Sequence, residues 1–136
     1  MQLNTYVHYN GNCDDAFRFY EQALGGKIEM RQTYGASPAG AQTPPEMKDK
    51  IIHARIRIGD TVLMGSDAPP QRRGTPDGFS LSLSCATPEE AERVFAALSD
   101  GGRIEMPMAE SFFAHRFGML ADKFGMAWMV VCQKEM

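Results

Sequence analysis

The hexapeptide Gly25-Gly26-Lys27-Ile28-Glu29-Met30 returns as Gly101-Gly102-Arg103-Ile104-Glu105-Met106, with a single Lys-to-Arg difference. The segments upstream match too, Asp14-Asp15-Ala16-Phe17-Arg18-Phe19-Tyr20 against Glu89-Glu90-Ala91-Glu92-Arg93-Val94-Phe95. The offset there is 75 instead of 76, which predicts a second helix one residue longer. Downstream, His53 stands seven residues before Asp60 and His115 seven before Asp122, so the stretch from Ile51 pairs with the one from Phe113 at an offset of 62. The smaller offset calls for an insertion in the first copy, and a Pro/Gly/Ala-rich stretch at 34–47 lies where it must be. A repeated supersecondary unit buries its apolar face only against another unit, and two copies point to a pseudo-two-fold pair rather than a solenoid.

At 136 residues, with 43% hydrophobic and 23% charged side chains, the chain supports one core, so a single domain is expected. Its first module runs over about 1–67, a linker over 68–78 and its second module over about 79–136. A net charge of -3 supplies no basic field for nucleic acid, and Arg72-Arg73 reads as a solvated loop. The start, Met1-Gln2-Leu3-Asn4-Thr5, lacks the regions of a secretory leader, and the run Met126 to Cys132 is too short to span a bilayer. Cys13, Cys85 and Cys132 are odd in number and far apart, which suits reduced thiols. A cytoplasmic protein without a membrane partner is expected.

Leu3 to Tyr9 alternates as a strand, and Asn10-Gly11-Asn12 ends it. Asn12 can cap the helix that follows, with Asp15 three residues on as a loose capping box. Ala16, Phe19, Tyr20, Ala23 and Leu24 form its apolar stripe, and Gly25 stops it. The second helix has Thr87 as cap, Pro88 at its first position and Ala91, Val94, Phe95 and Leu98 on its buried stripe. Strands are expected over Lys27 to Thr33, Lys50 to Ile58 and Thr61 to Ser66. In the second copy they fall over Phe79 to Ala86, Arg103 to Met108, Phe113 to Leu120 and Met126 to Gln133. Each copy reads βαβββ, an α+β fold with one face of a curved sheet covered by helices and the other closing around a cavity.

Paired βαβββ modules, Asn10-Gly11-Asn12 before the first helix and Phe124-Gly125-x-x-Trp128 at the last strand resemble the vicinal-oxygen-chelate superfamily of glyoxalase, bleomycin-resistance and extradiol-dioxygenase proteins. The helix ending in Leu24-Gly25-Gly26, the run from His53 to Asp67 and the closing Arg116-Phe117-Gly118 are similar to its PhnB-like branch. The resemblance implies a small-molecule cavity and a homodimer, because the superfamily usually pairs modules across two chains. It also implies four metal-ligand positions, which fall on Thr5, Ser80, the Met64 to Ser66 region and Met129. None of these side chains is a good ligand for a hard or borderline divalent ion.

His53 and His115 occupy equivalent places and are the candidates for acid-base chemistry, although each can equally make a structural hydrogen bond. Ser66 and Asp67 are expected at the cavity mouth, with Phe113, Phe117 and Trp128 as an apolar wall. His8 lies on the opposite face of its strand from Thr5, and Arg55 and Arg57 share a face with His53. Two functions follow. One is metal-free binding, or metal-independent catalysis, of a small polar-aromatic molecule with no cofactor. The other is a divalent-metal enzyme of lyase, isomerase or dioxygenase type, its site moved onto His53, His115 and a carboxylate such as Glu110. The 34–47 loop is either a flap at the cavity mouth or a surface excursion without structure of its own.

Overall fold

A computed structural model describes residues 1–135, which divide into two compact units, one over Met1–Gly74 and the other from Thr75 on. In the first, β1 (Thr5–Tyr9), α1 (Cys13–Leu24), β2 (Lys27–Thr33), β3 (Ile51–Ile58) and β4 (Thr61–Asp67) build a sheet in the order β1-β4-β3-β2. In the second, β5 (Leu81–Ser84), α2 (Pro88–Ser99), β6 (Arg103–Ala109), β7 (Ala114–Ala121) and β8 (Ala127–Gln133) repeat it as β5-β8-β7-β6. In each unit the first strand runs parallel to the last and the other pairs are antiparallel. The glyoxalase-type βαβββ module is thus present twice.

The repeated Gly-Gly has a backbone cause. Gly25 and Gly101 adopt left-handed φ values of 70° and 76° just past each helix, a region in which a side chain is strained. Their neighbours Gly26 and Gly102 press against the next sheet strand: an added Cβ would lie 2.9 Å from the Arg57 carbonyl and 2.2 Å from that of Ala121. Both helices are 12 residues long, so the extra residue of the second copy does not lengthen α2. It is Asp100, extended between the helix end and Gly101.

Each helix packs an apolar stripe on its own sheet. Cys13, Ala16, Phe17 and Tyr20 of α1 are buried, as are Ala91, Val94, Phe95 and Leu98 of α2, at about 1.5–3 kcal/mol for each large side chain. Phe17 and Phe95 sit over glycines, Gly65 in β4 and Gly118 in β7, where a Cβ would come within 3.0 and 2.7 Å of the rings.

The helix starts differ from each other. At α2, Thr87 Oγ1 accepts from Glu90 N and Glu90 Oε1 accepts from Ala86 N, a variant of the capping box in which the glutamate holds the residue before the cap. At α1 the Asn12 side chain makes no capping bond. Asp67, at the end of β4, reaches over instead, its Oδ1 accepting from Gly11 N and Cys13 N at 3.1 and 2.9 Å. Asp15 completes no box, and Asp14 pairs with Arg18 and Arg31.

Two further expectations are corrected. Phe79 and Ser80 precede β5, which is only four residues long. The 34–47 loop does have structure: 3-10 turns at Gly40–Gln42 and Pro45–Met47, with Gly40 and Met47 buried. Gly35 N donates to Lys48 O, Gly40 N to Ser37 O, and the Tyr34 hydroxyl to Asp67 O.

Candidate functional site

In the first unit, Val7, Tyr9, Leu63, Ala54 and Ile56 are buried and Gly65 touches Phe17, so these residues look toward α1. Strand alternation sends Tyr6, His8, Met64, Ser66, His53 and Arg55 to the opposite face. His8 pairs with Ser66 across β1 and β4, His53 with Gln32 across β3 and β2, and Tyr6, Met64, Arg55 and Met30 form one cross-strand row. The Tyr6 hydroxyl and His53 Nδ1 lie 3.1 Å apart, a hydrogen bond whose direction the tautomer sets. Their rings stack at 5.6 Å, and His8 tilts against Tyr6 at 5.2 Å. Tyr6 and His8 are exposed and His53 is half-buried. Gln32 Nε2 donates to Ala36 O, which ties the 34–47 loop to this face.

A cationic edge adjoins this cluster. Glu29, at a register shift in β2, accepts from Arg57 Nε at 2.9 Å and lies 3.8 Å from Arg55 Nη2. The hydrogen bond from Arg57, aided by the charges of Arg57, Arg55 and Lys27, holds the Glu29 carboxyl below its usual range despite some desolvation. Arg55 Nε is shut off from solvent and, among the described residues, is the buried side-chain nitrogen or oxygen left without a hydrogen-bond partner. Such a group costs about 1–3 kcal/mol.

The residues expected at a cavity mouth separate by strand parity. Ser66 belongs to the open face of the first unit. Asp67, its neighbour, points to the α1 side, 1% exposed, with Oδ2 accepting from Ile51 N at 2.8 Å and Oδ1 engaged as described. It holds the fold and presents no free oxygen. Thr5, in register with Leu63, also has the α1-side parity. In the second unit Phe113 and Phe117 meet edge to face at 5.2 Å. Trp128 is 2% exposed, in register with buried Leu120, and donates Nε1–H to Asp122 Oδ2. It therefore belongs to the α2 side and not to the Phe113/Phe117 wall. The open face of this sheet carries the row Ser82, Met129, Met119 and Met106.

His115 is exposed at a register shift between Ala114 and Arg116, and His53, paired with Gln32, also borders a shift, between Gln32 and Thr33. It lines a shallow cleft with Pro88, Cys132 and Lys134. Glu110 is paired with Lys134 at 2.9 Å, and that hydrogen bond, with the lysine charge, holds its carboxyl below the usual range. Among the described residues no group of three or more His, Cys, Asp or Glu side chains is placed to hold a metal ion. The open face of the second sheet carries thioethers and a serine, and that of the first carries two imidazoles flanking a tyrosine.

The residues that sequence reasoning missed are Tyr6 and the pairing role of Gln32. Strand parity counted from buried Val7 and Tyr9 would have found Tyr6 and brought His8 to the same face as His53.

The module topology defines a glyoxalase-fold protein. The structure of a glyoxalase/bleomycin resistance/dioxygenase domain from Frankia shares that fold at a TM-score of 0.71 and 15% identity, covering 99% of this chain and 93% of that one. Residues 1–131 match the family model described as 3-demethylubiquinone-9 3-methyltransferase, and the chain belongs to that PhnB-like family. Protein YjdN of Escherichia coli is 36% identical over 143 residues, covering 99% of this chain and 97% of the relative. The crystal structure of PA1353 from Pseudomonas aeruginosa superposes at a TM-score of 0.90 with 43% identity, covering 99% of both chains. A PhnB protein from Bacillus cereus follows at 0.79 and 27%, over 97% of this chain and 99% of that one. No helix among the described residues is long and apolar enough to cross a membrane.

Proposed function

We propose that this PhnB-like chain binds a small polar-aromatic molecule on the open face of its first sheet, without a metal ion. The observation that carries this reading is the Tyr6–His53 hydrogen bond beside His8, an exposed aromatic and hydrogen-bonding cluster on the face that α1 leaves free. Its rings offer stacking surfaces, its hydroxyl and imidazole nitrogens fix polar groups, and Ser66 and Gln32 extend the polar floor. The Phe113 and Phe117 pair and the methionine row give the second sheet an apolar open face of its own.

Phosphate-bearing molecules suit the chain less well. One first-turn amide of each helix is already bonded by a protein group, Cys13 N to Asp67 and Glu90 N to Thr87, and acidic side chains occupy both first turns, so both are poor cradles for an anion. The methyl transfer in the family's description is not part of this proposal. His53, backed by Tyr6, is the group we would first assign a proton-transfer role.

The test is a thermal-shift screen of metabolites followed by NMR titration of the best hits. The reading requires that a hit perturb Tyr6, His8 and His53, and hits confined to other surfaces would overturn it. Metal content of protein purified without added metal, measured by mass spectrometry, tests the second reading, a relocated metal on His53 and His115, and absence of stoichiometric metal would remove it. One equivalent of a transition metal would revive that reading. His8 and His53 on one face are the observation in its favour.

We further propose a homodimer in the cytoplasm. β6 is an edge strand with Ile104 and Met106 52% and 47% exposed, apolar surface that a second copy would cover. The three cysteines are free thiols, as a reducing compartment keeps them. A monomer by light scattering at micromolar concentration would remove the dimer.

A further inference from the structure

We propose that the molecule held on the first sheet carries a carboxylate, received by Arg55 while its ring lies against Tyr6 and His8. This rests on the reading of that face given above and adds the ligand's charge and chemical class.

Arg55 occupies the same cross-strand row as Tyr6, with Met64 between them. Two strand spacings of about 4.8 Å separate their backbones, room for one aromatic ring with a carboxylate at its end. A guanidinium presents its N–H groups as a planar fork that matches a carboxylate two bonds at a time. That fork is unfilled. Arg55 Nε has no partner, and the nearby Glu29 gives its short bond to Arg57, approaching Arg55 only to 3.8 Å.

The Arg55 side chain is 44% exposed, so a ligand oxygen reaches its outer nitrogens directly. Charge favours the same class. Lys27 and Arg57 pair across β2 and β3 beside Arg55, against the single carboxylate of Glu29. Arg57 is already satisfied by that carboxylate, which leaves Arg55 as the anchor.

The experiment uses the full-length chain, labelled with ¹⁵N, titrated with benzoate and separately with benzamide, a neutral molecule of the same shape. Benzoate should move the signals of Tyr6, His8, His53 and the Arg55 Nε–H, and should bind on the order of tenfold more tightly than benzamide, as charge-assisted hydrogen bonds allow. Arg55→Gln should abolish that preference. Arg57→Gln, which removes a like charge but not the fork, should weaken benzoate by less than about threefold. Glu29→Gln removes a competing carboxylate and should tighten it. A change of the opposite sign in Glu29→Gln would count against the assignment.

The two levels fail separately. If benzamide binds as well as benzoate at Tyr6, His8 and His53, and Arg55→Gln changes neither, the carboxylate is wrong while the binding face stands. If neither compound at tens of millimolar moves those residues, the carboxylate proposal and the binding-face reading fall together. Amide spectra of each variant that overlay the parent's away from the site establish that the fold is intact.

Discussion

Asp67 shows how one side chain can be read two ways. Its position at the end of a strand, next to Ser66, suggests a cavity mouth, yet adjacent strand residues face opposite sides, and its carboxylate serves three backbone N–H groups. Asp67→Asn replaces one acceptor oxygen with a donor that faces other donors. It should cost about 3 kcal/mol in urea unfolding. Asp14 makes a smaller electrostatic contribution. Partial burial pushes its carboxyl up, but hydrogen bonds from Arg31 and Arg18 outweigh this and hold it below its ordinary range. A carboxyl depressed on folding adds stability above its unfolded pKa, and that stability is lost as pH falls through the folded one. Asp14→Asn should therefore cost less than about 1 kcal/mol at neutral pH, for an exposed pair, and the difference from the parent should close on acidification. Cys13 and Cys85 should be slow toward thiol reagents in the native state. Burial, then the charges of Asp67 and Asp14, drives the Cys13 thiol far up, and burial puts Cys85 at about 11, so little thiolate forms near neutral pH. A fast-reacting thiol before urea is added would contradict this.

At the scale of elements, the repeat made the βαβββ order legible, because Gly-Gly recurs wherever a helix must end in a left-handed residue and the chain must then graze a neighbouring carbonyl. The helix caps were only half legible. Thr87 and Pro88 mark the start of α2 in the sequence, whereas the true cap of α1 comes from a residue 54 positions away from Cys13. Thr87→Ala should cost about 1 kcal/mol. Asn12→Ala should cost only a few tenths, since its side chain makes no capping bond. Gly118→Ala would drive a methyl group to 2.7 Å from Phe95 and from Met108 Sδ, and should destabilise by about 1–3 kcal/mol through overpacking. In the ring cluster of the candidate site only His53 was legible, and His8 and Tyr6 were not, because aligning the turn before the first helix with the family's pattern put Thr5 at the ligand position. Burial of Val7 and Tyr9 sets the parity. The 34–47 loop looked unstructured because its Pro/Gly/Ala composition hides the turns that Ser37, Gly40 and Pro45 make among themselves. Deleting 36–43 should therefore cost more than loop closure alone would suggest.

At the scale of the whole molecule, one fold appears twice with two chemistries, a polar-aromatic open face in the first unit and a methionine-lined one in the second. The two units are alike in the faces that pack on helices and differ in the others. The Asp67 fastening has a consequence for motion. Gly11, Cys13 and Ile51 belong to a turn, a helix start and a strand start, segments with no reason to share a local opening, yet their N–H groups end on one carboxylate. Their amide hydrogens should exchange with deuterated solvent at closely similar rates in the parent, as one opening event, and at three unrelated rates in Asp67→Asn, where each segment frays by itself.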